Sequence, residues 1–144
     1  MMLHIIIWVA SVFGWVSRIT KRGSGIMVTG RIILKLAPNA VSILAQNRRV
    51  VLISGTNGKT TTTSLIYHAF ATESKVVSNF TGANLFAGLA AALSKEMSAP
   101  VAVLEVDEMV LSWAITQTKP ELVVLLNLGR DQLDRLSEVR VVAQ

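Results

Sequence analysis

The chain has 144 residues, the size of about one domain, with a hydrophobic fraction of 51% and a mean hydropathy of +0.52. It contains no cysteine, which excludes disulfides and any cysteine-ligated zinc within these residues, and His4 and His68 stand too far apart in the chain to suggest a metal cluster. The net charge of +5 is uneven: Arg18, Lys21, Arg22, Arg31, Lys35, Arg48, Arg49 and Lys59 precede the first acidic residue, Glu73, and the remainder carries six basic against nine acidic residues.

That split points the first half toward an anionic surface or ligand, with a solvated basic face as the plain alternative. Basic patches interleaved with aromatics, the mark of single-strand binders, are missing, so no nucleic-acid partner is expected. A phospholipid headgroup layer or a phosphorylated substrate fits better.

Residues 1–16, MMLHIIIWVASVFGWV, form an apolar run followed by the basic stretch Ser17-Arg18-Ile19-Thr20-Lys21-Arg22. The run falls short of the ~20 residues that span a bilayer. It also lacks a basic segment ahead of its apolar core and an A-x-A cleavage site. Three readings stay open: a buried or amphipathic helix, a helix lying on the membrane, and an uncleaved anchor. The basic cluster behind it favours the cytoplasmic side, facing anionic lipid. Gly23-Ser24-Gly25 reads as a flexible joint. From Ile26 to Gln46 the pattern is helical, interrupted at Pro38. Ile32, Ile33 and Leu36, then Val41, Leu44 and Ala45, recur at helical spacing and are expected to pack on the strands and helices beyond Arg49.

From Arg49 onward, strands expected at 49–54, 75–79, 100–105 and 121–127 alternate with helices at 58–70, 84–97 and 107–117. This rhythm predicts an α/β fold: a parallel sheet with right-handed crossovers and flanking helices. We accordingly divide the chain into an N-terminal apolar and basic helical segment, 1–46, and a sheet-forming segment, 47–144. Ligands of such sheets bind at the carboxyl ends of the strands, so the polar groups there carry the functional reading.

The first strand runs into Gly55-Thr56-Asn57-Gly58-Lys59-Thr60-Thr61. A strand, a glycine turn and a helix start make a concave nest of backbone N–H groups, and the helix dipole adds positive potential there. Lys59 adds a full charge, and the Thr60 hydroxyl stands where it can ligate a magnesium ion. The general phosphate-loop pattern is G-x-x-x-x-G-K-[ST]. Here the glycine spacing is shorter, G-x-x-G-K-T, with Ile53 where the long form has its first glycine. Its place between an apolar strand and a helix favours phosphate binding over a plain connecting turn.

After the second strand, Asn79, Thr81 and Asn84 offer neutral donors and acceptors around Gly82. Asn84 reads equally as a helix cap and as a ligand contact. The third strand ends in Glu105-Val106-Asp107-Glu108, and three carboxylates in four residues cost solvation unless a cation is near. Magnesium prefers such oxygen ligands. Glu105 reads as a metal ligand, and Asp107 as a helix cap. Glu108 reads either as a ligand or as an acid favoured by the helix dipole. His68 reads as a capping or surface histidine and Trp113 as ordinary packing. Asn127 ends the fourth strand, and the turn beyond it is dense in charge, with Asp131 and Asp134 spaced for one helical face.

Gly55–Thr61 resembles the signature of the Mur ligase superfamily, ATP-dependent ligases of peptidoglycan and folate metabolism. The folate branch is less similar, because it usually has glycine-serine after the lysine. Gly82-Ala83-Asn84-Leu85, Glu105-Val106-Asp107-Glu108 and Asn127-Leu128-Gly129-Arg130-Asp131-Gln132-Leu133-Asp134-Arg135 follow in the family's order. Together they resemble the MurT type of subunit found in lipid II isoglutaminyl synthases. Gln132 stands where most Mur ligases have a histidine that assists a magnesium site, which leaves a second protein-ligated magnesium unsupported. Gly129 replaces a residue that is usually bulky.

The resemblance implies an incomplete ATPase domain with ATP and Mg2+ as cofactors. It assigns catalytic roles to Lys59 and Glu105, and nucleotide contacts to Gly55, Thr56, Asn57, Gly58, Lys59, Thr60, Thr61, Asn84 and Asn127. Metal contacts fall to Thr60, Glu105 and Glu108. The reaction it implies is amidation of the D-glutamate α-carboxylate of lipid II through an acyl phosphate, with a GatD-type glutaminase partner supplying ammonia. Another Mur-type amino-acid ligase, or a non-catalytic nucleotide-binding fragment, is the alternative. Proteins of this type continue through a zinc ribbon and a C-terminal domain, so the chain reads as an N-terminal fragment, inactive alone. A cytoplasmic location is expected, with residues 1–22 bringing the enzyme to the inner face of the membrane.

Overall fold

The computed structural model describes residues 2–19, 25–80 and 82–128. Three β-branched, valine-rich runs and one short Val-Val-Ser segment form its strands: β1 Arg49–Ser54, β2 Val76–Ser78, β3 Val101–Val106 and β4 Leu122–Leu125. They lie in one sheet in the order β2-β3-β1-β4, every pair parallel. The helices are α1 Met2–Ile19, α2 Gly25–Leu36, α3 Ala40–Ala45, α4 Lys59–Ala71, α5 Phe86–Lys95 and α6 Leu111–Thr118. The predicted α/β architecture is the observed one.

Strand order fixes which face each helix covers. The step from β1 to β2 runs one way along the sheet, and those from β2 to β3 and from β3 to β4 run the other way. Right-handed crossovers therefore put α4 on one face and α5 with α6 on the other. The packing agrees. Val51, Ile53, Val101 and Val103 point to the α4 side, where Ile66 and Phe70 close over them. Val50, Leu52, Ala102, Leu104 and Val106 point to the larger layer, with Leu89 and Leu93 of α5, Ala114 of α6, and residues of α1, α2 and α3. Adjacent β1 and β3 send their connections to opposite faces, so a crevice opens between their carboxyl ends.

Element ends differ from expectation by one or two residues, with physical reasons at three places. The helix expected at 107–117 begins as a 3-10 turn, Glu108–Val110, capped by Asp107. The fourth strand stops at Leu125 because Leu126 and Asn127 turn toward the loop after β1. Asn84 does not cap α5: the N-cap is Leu85, without a side-chain cap bond.

The N-terminal helices join the same core as the sheet, with Ile7, Ala10, Ile33, Val41 and Leu44 buried in it. Leu36, expected inward, is exposed. Its neighbour Pro38 ends α2, and the Pro38-Asn39 turn leads into α3. The α2–α5 contact is made backbone to backbone at Gly30, where a Cβ would run into the Ala87 carbonyl. Helix α1 has 18 residues and is long and apolar enough to cross a membrane by length and composition, longer than the apolar run alone suggests. His68 is exposed on α4 with its ring edge-on to Tyr67 at 5.3 Å. Trp113 packs edge-on against Phe86 at 4.8 Å. Gly25 of the predicted joint opens α2. Thr20 to Ser24, Thr81 and the segment 129–144, with Gln132, Asp131 and Asp134, lie outside the described residues.

Candidate functional site

The turn after β1 depends on two glycines in backbone conformations that L side chains resist. Gly55 has φ +142° and Gly58 has φ +85°. At Gly55 there is also no room, since a Cβ would lie 2.9 Å from the Leu126 Cβ and 3.0 Å from the Asn127 backbone. Gly58, in the left-handed region, is the N-cap of α4, so the first amides of the helix face the loop's concavity. A run of four threonines, Thr60 to Thr63, is a weak helix former. Here tertiary packing of Ile66 and Phe70 holds α4 in place.

The sheet's far side braces this turn. The Thr56 N–H donates to the Asn127 carbonyl at 2.7 Å, and the Leu126 N–H donates to the Ser54 carbonyl at 2.9 Å. The Asn127 side chain pairs with the backbone of Asn57 in both senses, accepting from its N–H at 3.0 Å and donating to its carbonyl at 3.1 Å. Asn127 is thus a clamp on the loop as found, and it presents the loop rather than extending past it.

Lys59 is 8% exposed. Its ammonium donates to the carbonyl of Gly55 and to that of Thr56 at 3.2 Å, and it lies 3.8 Å from Glu108 Oε1. The Thr60 hydroxyl donates to Glu105 Oε2 at 2.8 Å. Glu105 is 4% exposed and follows Val101 and Val103 on the α4 side of β3, which is why it meets the first turn of α4. The Glu108 side chain is 7% exposed, and neither of its oxygens has a hydrogen-bond partner. A buried carboxylate with no donor carries a large desolvation cost, and the Lys59 charge offsets only part of it at that distance.

The expected residues fall into three groups. Gly55, Gly58, Lys59, Thr60, Glu105 and Glu108 converge on the crevice between β1 and β3. Thr56, Asn57 and Asn127 form the braced rim. Thr61 is exposed in the first turn of α4. Asn84 stands beside the end of β3, its carbonyl accepting from the Asp107 N–H at 3.0 Å. Asp107 caps the turn after β3 by accepting from the Met109 N–H at 3.0 Å.

Asn79 does what the sequence did not reveal. Buried at the end of β2, it accepts from the Glu105 N–H at 2.8 Å and donates to the Glu105 carbonyl at 2.7 Å. It also donates to the Ala83 carbonyl at 2.9 Å. It continues the β2–β3 pairing one step beyond the strand and sets the backbone from which Glu105 projects. A polar residue at a strand's last position was the available signal.

These donors suit magnesium by kind: one hydroxyl and two carboxylates, all oxygen. No group of three or more His, Cys, Asp or Glu able to hold a metal occurs among the described residues. An ion held here would rest on Thr60, Glu105 and Glu108, with its other positions filled by water and phosphate, the usual manner for magnesium. Beside the loop, a cleft of about 580 Å³ runs between α6 and β4, lined by Gly55, Glu108, Ser112, Thr116 and Asn127 among others.

Residues 53–144 match the Mur ligase middle domain. The chain is 35% identical over 126 residues to the MurT subunit of lipid II isoglutaminyl synthase (glutamine-hydrolyzing) from Streptococcus pneumoniae strain R6, covering 84% of this chain and 28% of that protein. The Staphylococcus aureus N315 MurT subunit is also 35% identical, over 85% of this chain and 28% of its own length. A UDP-N-acetylmuramoylalanine–D-glutamate ligase from Desulfotalea psychrophila is 40% identical over 114 residues, 79% of this chain and 23% of that protein. The chain thus spans under a third of each of these relatives.

Proposed function

The chain belongs to the Mur ligase family, and we propose that it forms the phosphate-binding part of an ATP-dependent ligase of peptidoglycan synthesis, of the MurT type. The substrate is the D-glutamate α-carboxylate of lipid II, and the product is its amide, D-isoglutamine. A GatD-type glutaminase supplies the ammonia. The location is cytoplasmic. The observation that carries the reading is the Thr60–Glu105 hydrogen bond beneath a lysine-bearing loop whose helix starts at a left-handed glycine.

In this mechanism a substrate carboxylate oxygen attacks the γ-phosphorus of ATP, the bond to the ADP oxygen breaks, and ADP leaves. Ammonia then attacks the acyl carbon, phosphate departs, and a proton is lost. The carboxylate is already nucleophilic, so the first stage needs no base from the protein. The loop amides and Lys59 stabilise charge on the transferring phosphoryl oxygens. Lys59 exchanges its loop carbonyls for phosphate oxygens as ATP enters. Magnesium, when bound, would neutralise phosphate charge, held by Thr60, Glu105 and Glu108. Asn127 keeps the loop in shape, and Asn79 holds Glu105 in register.

The 40% identity to a D-glutamate ligase favours a second reading, peptide-bond formation by another Mur-type ligase. Both readings are tested in the full-length protein. Lys59→Ala should lower ATP turnover by about two to three orders of magnitude, with urea unfolding as the control for folding. Retained turnover would overturn the phosphate-loop assignment. Supplying ammonium or D-glutamate as the sole acceptor separates amidation from ligation by product mass. A protein that binds ATP but turns over with neither is a non-catalytic nucleotide-binding module.

A further inference from the structure

Helix α1 has two unlike faces. Ile7, Ala10 and Gly14 are buried against the rest of the molecule, and the Thr29 hydroxyl reaches across from α2 to the Ala10 carbonyl at 3.3 Å. On the opposite side, Ile5, Trp8, Val12, Trp15 and Ile19 recur every third or fourth residue, so they share one stripe. All five are exposed, Trp8 by 69% and Trp15 by 58%. Phe13 and Val16, also exposed, widen the stripe on one side. His4, Ser11 and Arg18, seven residues apart, make a polar flank on the other.

We propose that α1 lies flat on an anionic lipid surface, seated by this face, with Arg18 at the headgroup level. Three observations choose that occupant. The stripe carries two tryptophans, whose amphipathic rings favour the membrane–water boundary. The surroundings are cationic: Arg18 ends the helix, Arg31 and Lys35 are exposed on α2, and Lys21 and Arg22 come next in the sequence, while no acidic residue precedes Glu73. A second copy on the same stripe would bring two such cationic rims together, whereas an anionic surface complements one. Third, a cleft of about 340 Å³ opens on the polar flank, lined by Ser11, Arg18, Thr29, Ser78 and Lys95 among others. The Ser78 hydroxyl is buried there without a hydrogen-bond partner. Two cations beside hydroxyls suit the phosphate of a lipid headgroup.

The flat orientation is a consequence of the packing. A helix whose other face is fixed to α2 and the core cannot be surrounded by acyl chains, so length and composition alone do not make it a span.

The test uses the full chain and vesicles of phosphatidylglycerol with phosphatidylcholine, against phosphatidylcholine alone, without nucleotide. It therefore stands or falls apart from the phosphate loop. Sedimentation with the anionic vesicles is expected, with tryptophan emission shifted to the blue and quenched by lipid brominated in its acyl chains. The quenching needs no variant. Trp8→Ser with Trp15→Ser, both at exposed positions, should lower partitioning roughly tenfold or more, with circular dichroism as the check on folding. Failure of the unaltered chain to bind anionic vesicles would overturn the proposal. So would equal binding by a folded double variant, or a dimer in solution that the double substitution dissolves.

Discussion

At the carboxyl edge of the sheet, Gly55 and Gly58 bend the chain through positive φ, and the bent loop is then held by polar bonds to a few partners just past β4 and on β3. In the N-terminal helices the glycines sit in regular helix. Gly14, Gly25 and Gly30 let backbones touch, and a Cβ at Gly30 would strike the Ala87 carbonyl. One region is shaped by torsion and hydrogen bonds, the other by close approach. The loop should therefore respond to changes in donors and acceptors with losses in ligand binding. The helical pair should respond to added bulk with losses in stability, and its polar substitutions should matter little.

The largest effect should come from breaking the second half of that contrast. Gly30→Val places a branched side chain against backbone that cannot move without separating α2 from α5. We expect a loss of about 3 kcal/mol, at the upper end for overpacking, read as a lower urea midpoint. An unchanged midpoint would mean that α2 does not sit on α5 as described.

A smaller effect sharpens the first half. Asn127→Ala removes both hydrogen bonds to the Asn57 backbone, an exposed pair worth about 1–2 kcal/mol together, and nucleotide affinity should fall more than stability does. Asn127→Asp keeps an acceptor for the Asn57 N–H but sets its second oxygen against the Asn57 carbonyl and adds negative charge beside the proposed phosphate site. A fluorescent-nucleotide titration should therefore rank the aspartate variant below the alanine one. If both bind like the unaltered protein, the clamp does not shape the loop.

The two regions also differ in how far they could be read from the residues. The turn between β1 and α4 was legible because its signal is local: strand, glycines, lysine and threonine occupy a dozen consecutive positions. Glu105 at a strand end was legible for the same reason. The supports were not, since Asn79 reaches Glu105 across 26 positions and Asn127 reaches Asn57 across 70. Those meetings depend on the strand order β2-β3-β1-β4, which an alternating rhythm of strands and helices leaves open. The cap reading of Asn84, one of its two, failed for a related reason. Its cap propensity is real, but its carbonyl is engaged with the Asp107 N–H, and the helix begins one residue later. In the N-terminal helices periodicity marked apolar faces without saying which would be covered, so Leu36 was expected inside and is exposed. Nothing local distinguishes a stripe that meets α2 from one that meets solvent.

The smallest effect belongs to the opposite edge of the sheet, where Arg49 and Glu121 join the starts of β1 and β4 with bonds of 2.8 and 3.0 Å. Both side chains are more than half exposed, and such pairs contribute little. The hydrogen bond from Arg49 holds the Glu121 carboxyl below its ordinary value, and the same bond raises the Arg49 guanidinium further above neutrality. A depressed carboxylate stabilises the fold above its unfolded pKa, and that contribution disappears as pH falls through the folded value. The arginine's share is complete throughout this range, since the bond to Glu121 raises an already strongly basic guanidinium. Comparing the unaltered protein with Glu121→Gln by urea unfolding should therefore give a small, constant difference near neutrality that closes only on the acid side of the ordinary carboxylate range. Adding salt should shrink it, because an exposed pair is screened. Arg49 also lies over the Phe70 ring at 5.3 Å, so Arg49→Gln should cost slightly more than Glu121→Gln, and that excess should persist in acid.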